Sequence, residues 1–365
     1  MRILFLSNAN SIHTKRWVIS LAKRDIEICL FSLEKTNELD YNDYSRITII
    51  DGEYKNNTSK EGEISKITLL KYLPRLLKSI KEFKPDLIHA HFATSYGLLG
   101  ALCGFHPFVL SVWGSDIYIF PRISFLHKGI LKFNLAKADY ILSTSHIMAH
   151  ETAKYTSKKI EITPFGIEPE LFKKNDSKEN KEEFIVGTIK QLASIYGIDT
   201  LIKSFHIVIK NNPKTKLKLQ IIGDGPEREN LQRLTYELGI QQFVDFLGKV
   251  ENHLLPKYYN NFSVAVFLSI SESFGVVAIE SMACECPVIV SNAEGFTEVV
   301  KDNETGFIVP IRDIEATAKA IQKFINNDSL REKMGRKGRE RVLNLFDWNK
   351  NVEQMVNIYN KIISD

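Results

Sequence analysis

Two successive series of short, unbroken apolar runs, each alternating with helix-like stretches, constrain this chain more than any single motif does. The first series falls at residues 2–7, 26–31, 87–92, 108–113 and 140–144; the second at 184–188, 217–222, 244–247, 264–268 and 288–291. Runs that are apolar on both faces and separated by helical segments are the pattern of parallel strands covered by helices on both sides. Between the series, residues 173–183 (KKNDSKENKEE) carry no apolar side chain, as an interdomain linker would. At 365 residues the chain exceeds one ordinary core. The expected fold class is α/β, with two doubly wound Rossmann-like domains at residues 1–172 and 184–348. Ligands of such sheets bind outside the carboxyl ends of the strands, so a site in a cleft between the halves is expected.

The segment 271–283 (SESFGVVAIESMA) is the most informative about chemistry. Glu272 stands in a small-residue turn, and Glu280 follows two helical turns later. The backbone N–H groups of Ser273, Phe274, Gly275, Val276 and Val277 fall at a helix N-terminus, where the amides and the helix dipole favour an anion. A carboxylate repels phosphate, so each glutamate fits better as an acceptor for hydroxyls of a polyhydroxylated ligand. A sugar nucleotide offers phosphates and hydroxyls together. Two solvated acids are the ordinary alternative, which the apolar and glycine surroundings disfavour.

Other candidates stand where strands should end. Lys190 follows the run 184–188 and can neutralise a diphosphate leaving group; a surface lysine is the competing reading. His89 and His91, two apart on a strand, share a face, and His91 lies at its carboxyl end, although a buried histidine is more often structural than catalytic. Asp116 follows the run 108–113 as an acceptor-side or loop-fixing carboxylate. The loop after the first strand (SNANSIHT) has no glycine, which argues against a dinucleotide fingerprint. Asn8 and Asn10 can still make that turn and donate amide hydrogen bonds. Gly223 and Gly225 shape a turn after the run 217–222, and Leu254, Leu255, Tyr258 and Tyr259 read as helix-face packing.

No apolar run reaches membrane-spanning length, and Met1–Leu6 leads straight into a strand without a signal-peptide pattern, so a cytoplasmic protein is expected. Four cysteines without metal-site spacing suggest reduced, mostly buried thiols. The net charge of +4 is uneven: residues 1–180 hold 25 Lys+Arg against 20 Asp+Glu, and the remainder 23 against 24. Residues 64–84 (Lys66, Lys71, Arg75, Lys78, Lys81, Lys84) and 120–137 (Arg122, Lys128, Lys132, Lys137) concentrate the excess among apolar residues. Both read as basic amphipathic helices, suited to the inner face of a membrane or to an ordinary wet surface. Nucleic acid is not expected, since no aromatic-interleaved basic motif occurs.

Glu272 to Glu280 is also the E-x7-E spacing of the family-4 retaining glycosyltransferases of GT-B fold, which this chain resembles from end to end. Further segments carry the resemblance: Met282-Ala283-Cys284-Glu285-Cys286-Pro287-Val288, Gly223-Asp224-Gly225-Pro226, Phe246-Leu247-Gly248-Lys249-Val250, Ser111-Val112-Trp113-Gly114-Ser115-Asp116, Pro164-Phe165-Gly166-Ile167-Glu168 and Asn303-Glu304-Thr305-Gly306-Phe307-Ile308-Val309-Pro310. Departures stand beside them. Glu285 replaces a glycine, Trp113 replaces a histidine, Ile195-Tyr196 takes the place of a second basic residue, and Asn292–Glu298 keeps only Gly295 of two glycines. The resemblance implies that Glu280 binds the donor ribose, Glu272 lies against the donor sugar, Lys249 and Val250 meet the donor base, and residues 349–365 cross back onto the first half.

It further implies retaining transfer of a hexose from a UDP- or GDP-sugar to a hydroxyl of a glycan or lipid-linked acceptor, in surface polysaccharide assembly. Attack from the leaving-group face and closure of the two halves against water belong to the same expectation. Lacking an Asp-x-Asp triplet, the sequence implies neither cofactor nor metal: Lys190 and the helix dipole take the metal's place. A nucleotide-sugar epimerase of the same architecture and a non-catalytic nucleotide-sugar-binding protein are the alternatives. The missing loop glycine, Trp113 and the missing second cation keep the latter open.

Overall fold

The computed structural model describes residues 1–36, 41–54, 69–175 and 183–364. Lys66, with the rest of 64–68, and most of the expected linker (176–182) lie outside them. Contacts divide the chain into two units, Met1–Pro164 with Lys350–Asp365, and Phe165–Asn349. The first is built on a seven-stranded sheet in the order β3-β2-β1-β4-β5-β6-β7. Its strands are β1 (Arg2–Leu6), β2 (Glu27–Glu34), β3 (Ile47–Tyr54), β4 (Leu87–His91), β5 (Phe108–Val112), β6 (Tyr140–Ser143) and β7 (Ile160–Ile162). The second has six strands in the order β10-β9-β8-β11-β12-β13. These are β8 (Phe184–Ile189), β9 (Leu217–Ile222), β10 (Val244–Gly248), β11 (Val264–Phe267), β12 (Val288–Ser291) and β13 (Gly306–Val309).

All pairings are parallel. Both sheets are therefore doubly wound, as the apolar runs imply. The central strands β4, β5, β11 and β12 are buried at every residue, which is why they read as unbroken apolar runs. In each sheet the strand order reverses once, between β1 and β4 and between β8 and β11. A chain that leaves these neighbouring strands in opposite directions opens a crevice at their carboxyl ends.

Three strands fall outside the expected series. β3 and β7 are edge strands whose residues are mostly half-buried, so neither shows an unbroken apolar run. β13, the edge of the second sheet, begins on a glycine whose added Cβ would stand 2.4 Å from the Val288 carbonyl oxygen. Segment 165–172, expected with the first domain, packs within the second unit: Phe165 meets Phe274 edge-on at 5.8 Å, and Phe172 lies 6.3 Å from Tyr259. The C-terminal helix (Trp348–Ser364) joins the first unit from Lys350 onward. There Asn351 donates to the Pro164 carbonyl (3.1 Å) and Gln354 to that of Ile162 (2.9 Å).

Where the resembling family has glycine, Glu285 adopts left-handed backbone geometry (φ 58°), which costs a non-glycine residue about 1 kcal/mol. Its side chain pairs with Lys174 at 2.8 Å, and its carbonyl closes on Gly335, where an added Cβ would be 2.1 Å away. The four cysteines are reduced, three of them buried. Among the described residues no helix is long and apolar enough to cross a membrane.

Candidate active site

In the second unit, the β8/β11 switch point brings two of the candidate residues into a charged pair that the sequence reading did not anticipate. Lys190 immediately follows β8, Glu272 follows β11 by five residues, and Lys190 Nζ lies 2.6 Å from Glu272 Oε2. Ser269 Oγ donates to the same oxygen at 3.3 Å. Both charged side chains are only about one-eighth exposed (13% and 12%), so the pair is little screened. Aromatic faces fix the ammonium further: it lies 4.7 Å from the Tyr196 ring centroid and 5.9 Å from that of Phe296. Tyr196 thus stands under the one cation of this loop, in the place where the resembling family offers a second.

Glycines decide where these groups sit. Gly223 (φ 134°) passes so close to the Lys190 loop that a Cβ would be 1.9 Å from the Lys190 carbonyl oxygen, and a Cβ on Gly225 would be 2.4 Å from that of Leu192. Gly275, the residue before the helix Val276–Ala283, is left-handed (φ 99°), with a would-be Cβ 2.7 Å from Phe296. Gly275 has no side chain with which to cap this helix, whose first-turn amides lie at the strands' carboxyl end. Phe296 therefore touches both the helix start and the Lys190 ammonium.

Glu280 is buried (5% exposed), and its Oε2 accepts from the Tyr259 hydroxyl at 2.9 Å. Tyr259, read from sequence as packing, is thus also a partner of the second glutamate. Burial, then the Glu280 charge, raises its pKa well above the usual tyrosine value, so it stays a donor. The Phe274 side chain turns into the core, edge-on to Phe165 and Phe346, leaving only its backbone for a ligand. Ser273 and Val276, on either side, are half-buried. Lys249 and Val250 follow β10, two strands from β8 at the same end of the sheet. They are tied in by the Gly223 N–H, which donates to the Gly248 carbonyl at 2.8 Å.

In the first unit, the β1/β4 switch point holds a buried polar chain. His91, the last residue of β4, has Nδ1 3.2 Å from Ser7 Oγ, which is 2.7 Å from Thr14 Oγ1. His89 lies between Tyr359 Oη (2.6 Å) and Ser111 Oγ (2.7 Å). Trp113, which stands where the family has histidine, is half-buried. Its indole covers His91 at 4.4 Å between centroids. Asp116 is fully buried and accepts from the amides of Ala93 (2.8 Å), Gly114 (2.7 Å) and Trp113 (3.2 Å). Burial raises its pKa while those amides oppose the rise. Of the two roles expected for it, this geometry fits the loop-fixing one. Asn8 and Asn10 do not use left-handed geometry. Asn8 Oδ1 instead accepts from the Asn10 N–H (2.8 Å), and Asn10 Nδ2 donates to the Lys35 carbonyl (2.9 Å).

Burial holds all three histidines here neutral: His13 near pKa 4, His89 near 3, and His91 well below the usual value, helped by His89 and His13. Unfolded histidines titrate near 6.5. Their folded pKa values are depressed, so the stability they allow is complete above about pH 6.5 and drains away as pH falls toward 4 and below, where only the unfolded chain takes up protons. We expect a loss of about 1.4 kcal/mol per pH unit for each fully buried histidine. The urea midpoint read by the fluorescence of Trp17, Trp113 and Trp348 should fall steadily between about pH 6.5 and 5; a flat profile would show that these rings do not resist protonation.

Among the described residues, no three His, Cys, Asp or Glu side chains gather as a metal site. The model of the glycosyl transferases group 1 family matches residues 170–341, and that of the glycosyl transferase 4-like family matches residues 2–145. The capsular polysaccharide biosynthesis glycosyltransferase CapM of Staphylococcus aureus is 30% identical over 328 residues, covering 82% of this chain and 83% of CapM. Sucrose-phosphate synthase from Thermosynechococcus elongatus shares the fold at TM-score 0.85 and 22% identity, covering 100% of this chain and 99% of its own. HepE of Anabaena, in complex with UDP-glucose, does so at 0.80 and 19%, covering 99% and 100%. Two doubly wound sheets with these matches are thus those of a GT-B glycosyltransferase. The chain belongs to the family-4 glycosyltransferases.

Proposed function

We propose that this enzyme is a retaining, metal-independent transferase that moves a hexose-type sugar from a UDP- or GDP-sugar to a hydroxyl of a glycan or lipid-linked acceptor in surface polysaccharide assembly. The observation that carries the reading is the Lys190–Glu272 pair, 2.6 Å apart at the carboxyl ends of β8 and β11, beside the glycine-started helix of Glu280. As the glycosidic bond breaks, negative charge grows on the departing diphosphate. An ammonium already oriented by Glu272 and Tyr196, together with helix-start amides, stabilises that charge without reorganising. Glu272 meets the donor sugar's hydroxyls, while Glu280, oriented by Tyr259, accepts from the ribose. A relative named for capsular polysaccharide biosynthesis and a neighbour holding UDP-glucose support the substrate class.

Thermal shift against UDP-glucose, UDP-N-acetylglucosamine and GDP-mannose will identify the donor, since a native-state ligand raises Tm by mass action. Glu280→Gln should weaken that donor's binding about 10- to 100-fold, the loss of a hydrogen bond to a charged group. Transfer should survive EDTA. Strict dependence on a divalent ion would remove the electrostatic role given to Lys190, and product formed from the donor alone would point to epimerisation instead.

A further inference from the structure

The two basic segments of the first unit differ in their apolar residues. In the helix Leu73–Phe83, Leu76 is buried, Leu73, Ile80 and Phe83 pack against the core and Leu77 alone of its leucines is exposed, while Lys78 pairs with Glu82. That is an ordinary surface helix. Segment 120–137 forms two helices, Phe120–Ile123 and Phe125–Lys137, broken at extended Ser124, whose Oγ caps the second by accepting from the His127 N–H. Around this break Ile119 (56%), Ile123 (60%), Phe125 (90%) and Leu126 (58%) are each exposed. Lys128, Lys132 and Lys137 follow, all exposed, and residues 117–138 contain no Asp or Glu.

We infer that this surface, with Ile123, Phe125 and Leu126 as its apolar tip and Lys128 and Lys132 as its flank, docks the enzyme on an anionic lipid bilayer. Apolar tips beside lysines suit the boundary between headgroups and acyl chains, and each lysine near an anionic leaflet adds attraction. Arg122 is paired with Glu151 at 3.1 Å, but the lysines beside the apolar tip disfavour a protein partner, because protein interfaces deplete lysine from their centres. Its binding is measured without any transfer reaction, and its side chains are none of those assigned to the donor, so it stands or falls independently of the donor chemistry.

Flotation of the whole chain with phosphatidylcholine vesicles, with and without phosphatidylglycerol, tests this. The protein should float with the phosphatidylglycerol vesicles, less so at high salt, and remain below with phosphatidylcholine alone. Phe125→Ser with Leu126→Ser should lower the bound fraction about tenfold or more, and Lys128→Gln with Lys132→Gln about tenfold with loss of salt sensitivity. Because these side chains are exposed, both variants should keep the parent Tm and transfer to a soluble acceptor. No flotation, flotation that neither variant weakens, or a dimer in sedimentation velocity that the Phe125 variant abolishes while vesicles never bind, would overturn the assignment.

Discussion

Replacing Lys190 by methionine should lower turnover about 10²- to 10³-fold, the range lost when one preorganised group facing developing negative charge is removed. The difficulty is that Lys190 also neutralises Glu272 in a largely buried pair, so the single variant should lose stability as well, by about 3 kcal/mol, because it strands a carboxylate. Lys190→Met combined with Glu272→Gln separates the two effects. The neutral pair removes the stranded charge and should regain most of the lost Tm, while turnover stays low because no cation faces the diphosphate. Were the double variant to recover turnover along with Tm, the lysine would be a structural partner of Glu272 and nothing more. Tyr196→Leu offers a finer measure: without the ring 4.7 Å below the ammonium, kcat should fall several-fold with KM little changed.

How far the sequence foretold this site can be traced residue by residue. Both sheets were legible because their central strands are buried on two faces, and that burial writes itself as apolar runs. Lys190, Glu272 and Glu280 were legible because strand ends and a glycine-started helix place them whatever the distant contacts are. Tyr259 was not, since its apolar ring satisfies a packing pattern and only the fold brings its hydroxyl 2.9 Å from Glu280, 21 residues on. Nor was the covering of His91 by Trp113, which joins a strand end to the loop after a neighbouring strand. Left-handed Phe92 (φ 79°), next to His91, and Glu285 carry no local signal either: each is held there by surrounding structure against its own preference. Asp116 shows the opposite limit. Its position was readable, but its ties to three backbone amides were not.

Gly295→Ala should damage catalysis far more than it damages the fold. Only this glycine of the resembling family's pair remains. A Cβ there would stand 2.5 Å from the Phe274 nitrogen and 2.7 Å from the Glu272 carbonyl oxygen, which itself accepts from the Gly295 N–H at 2.9 Å. These are backbone atoms, so no rotamer change can make room; the 272–274 turn must move. Its displacement carries Glu272 away from Lys190 and shifts the start of the helix bearing Glu280. Overpacking of this kind costs about 1–3 kcal/mol, but misplacement by an ångström costs far more in rate, about 10²-fold. Gly129→Ala serves as the contrast: it lies within a helix with nothing inside 4 Å of the new methyl and should raise stability by about 0.5–1 kcal/mol. Turnover and Tm measured on both variants decide the matter. If Gly295→Ala retained parental turnover, the turn would be free to shift without consequence, and the position of Glu272 beside Lys190 could not be what the reaction requires.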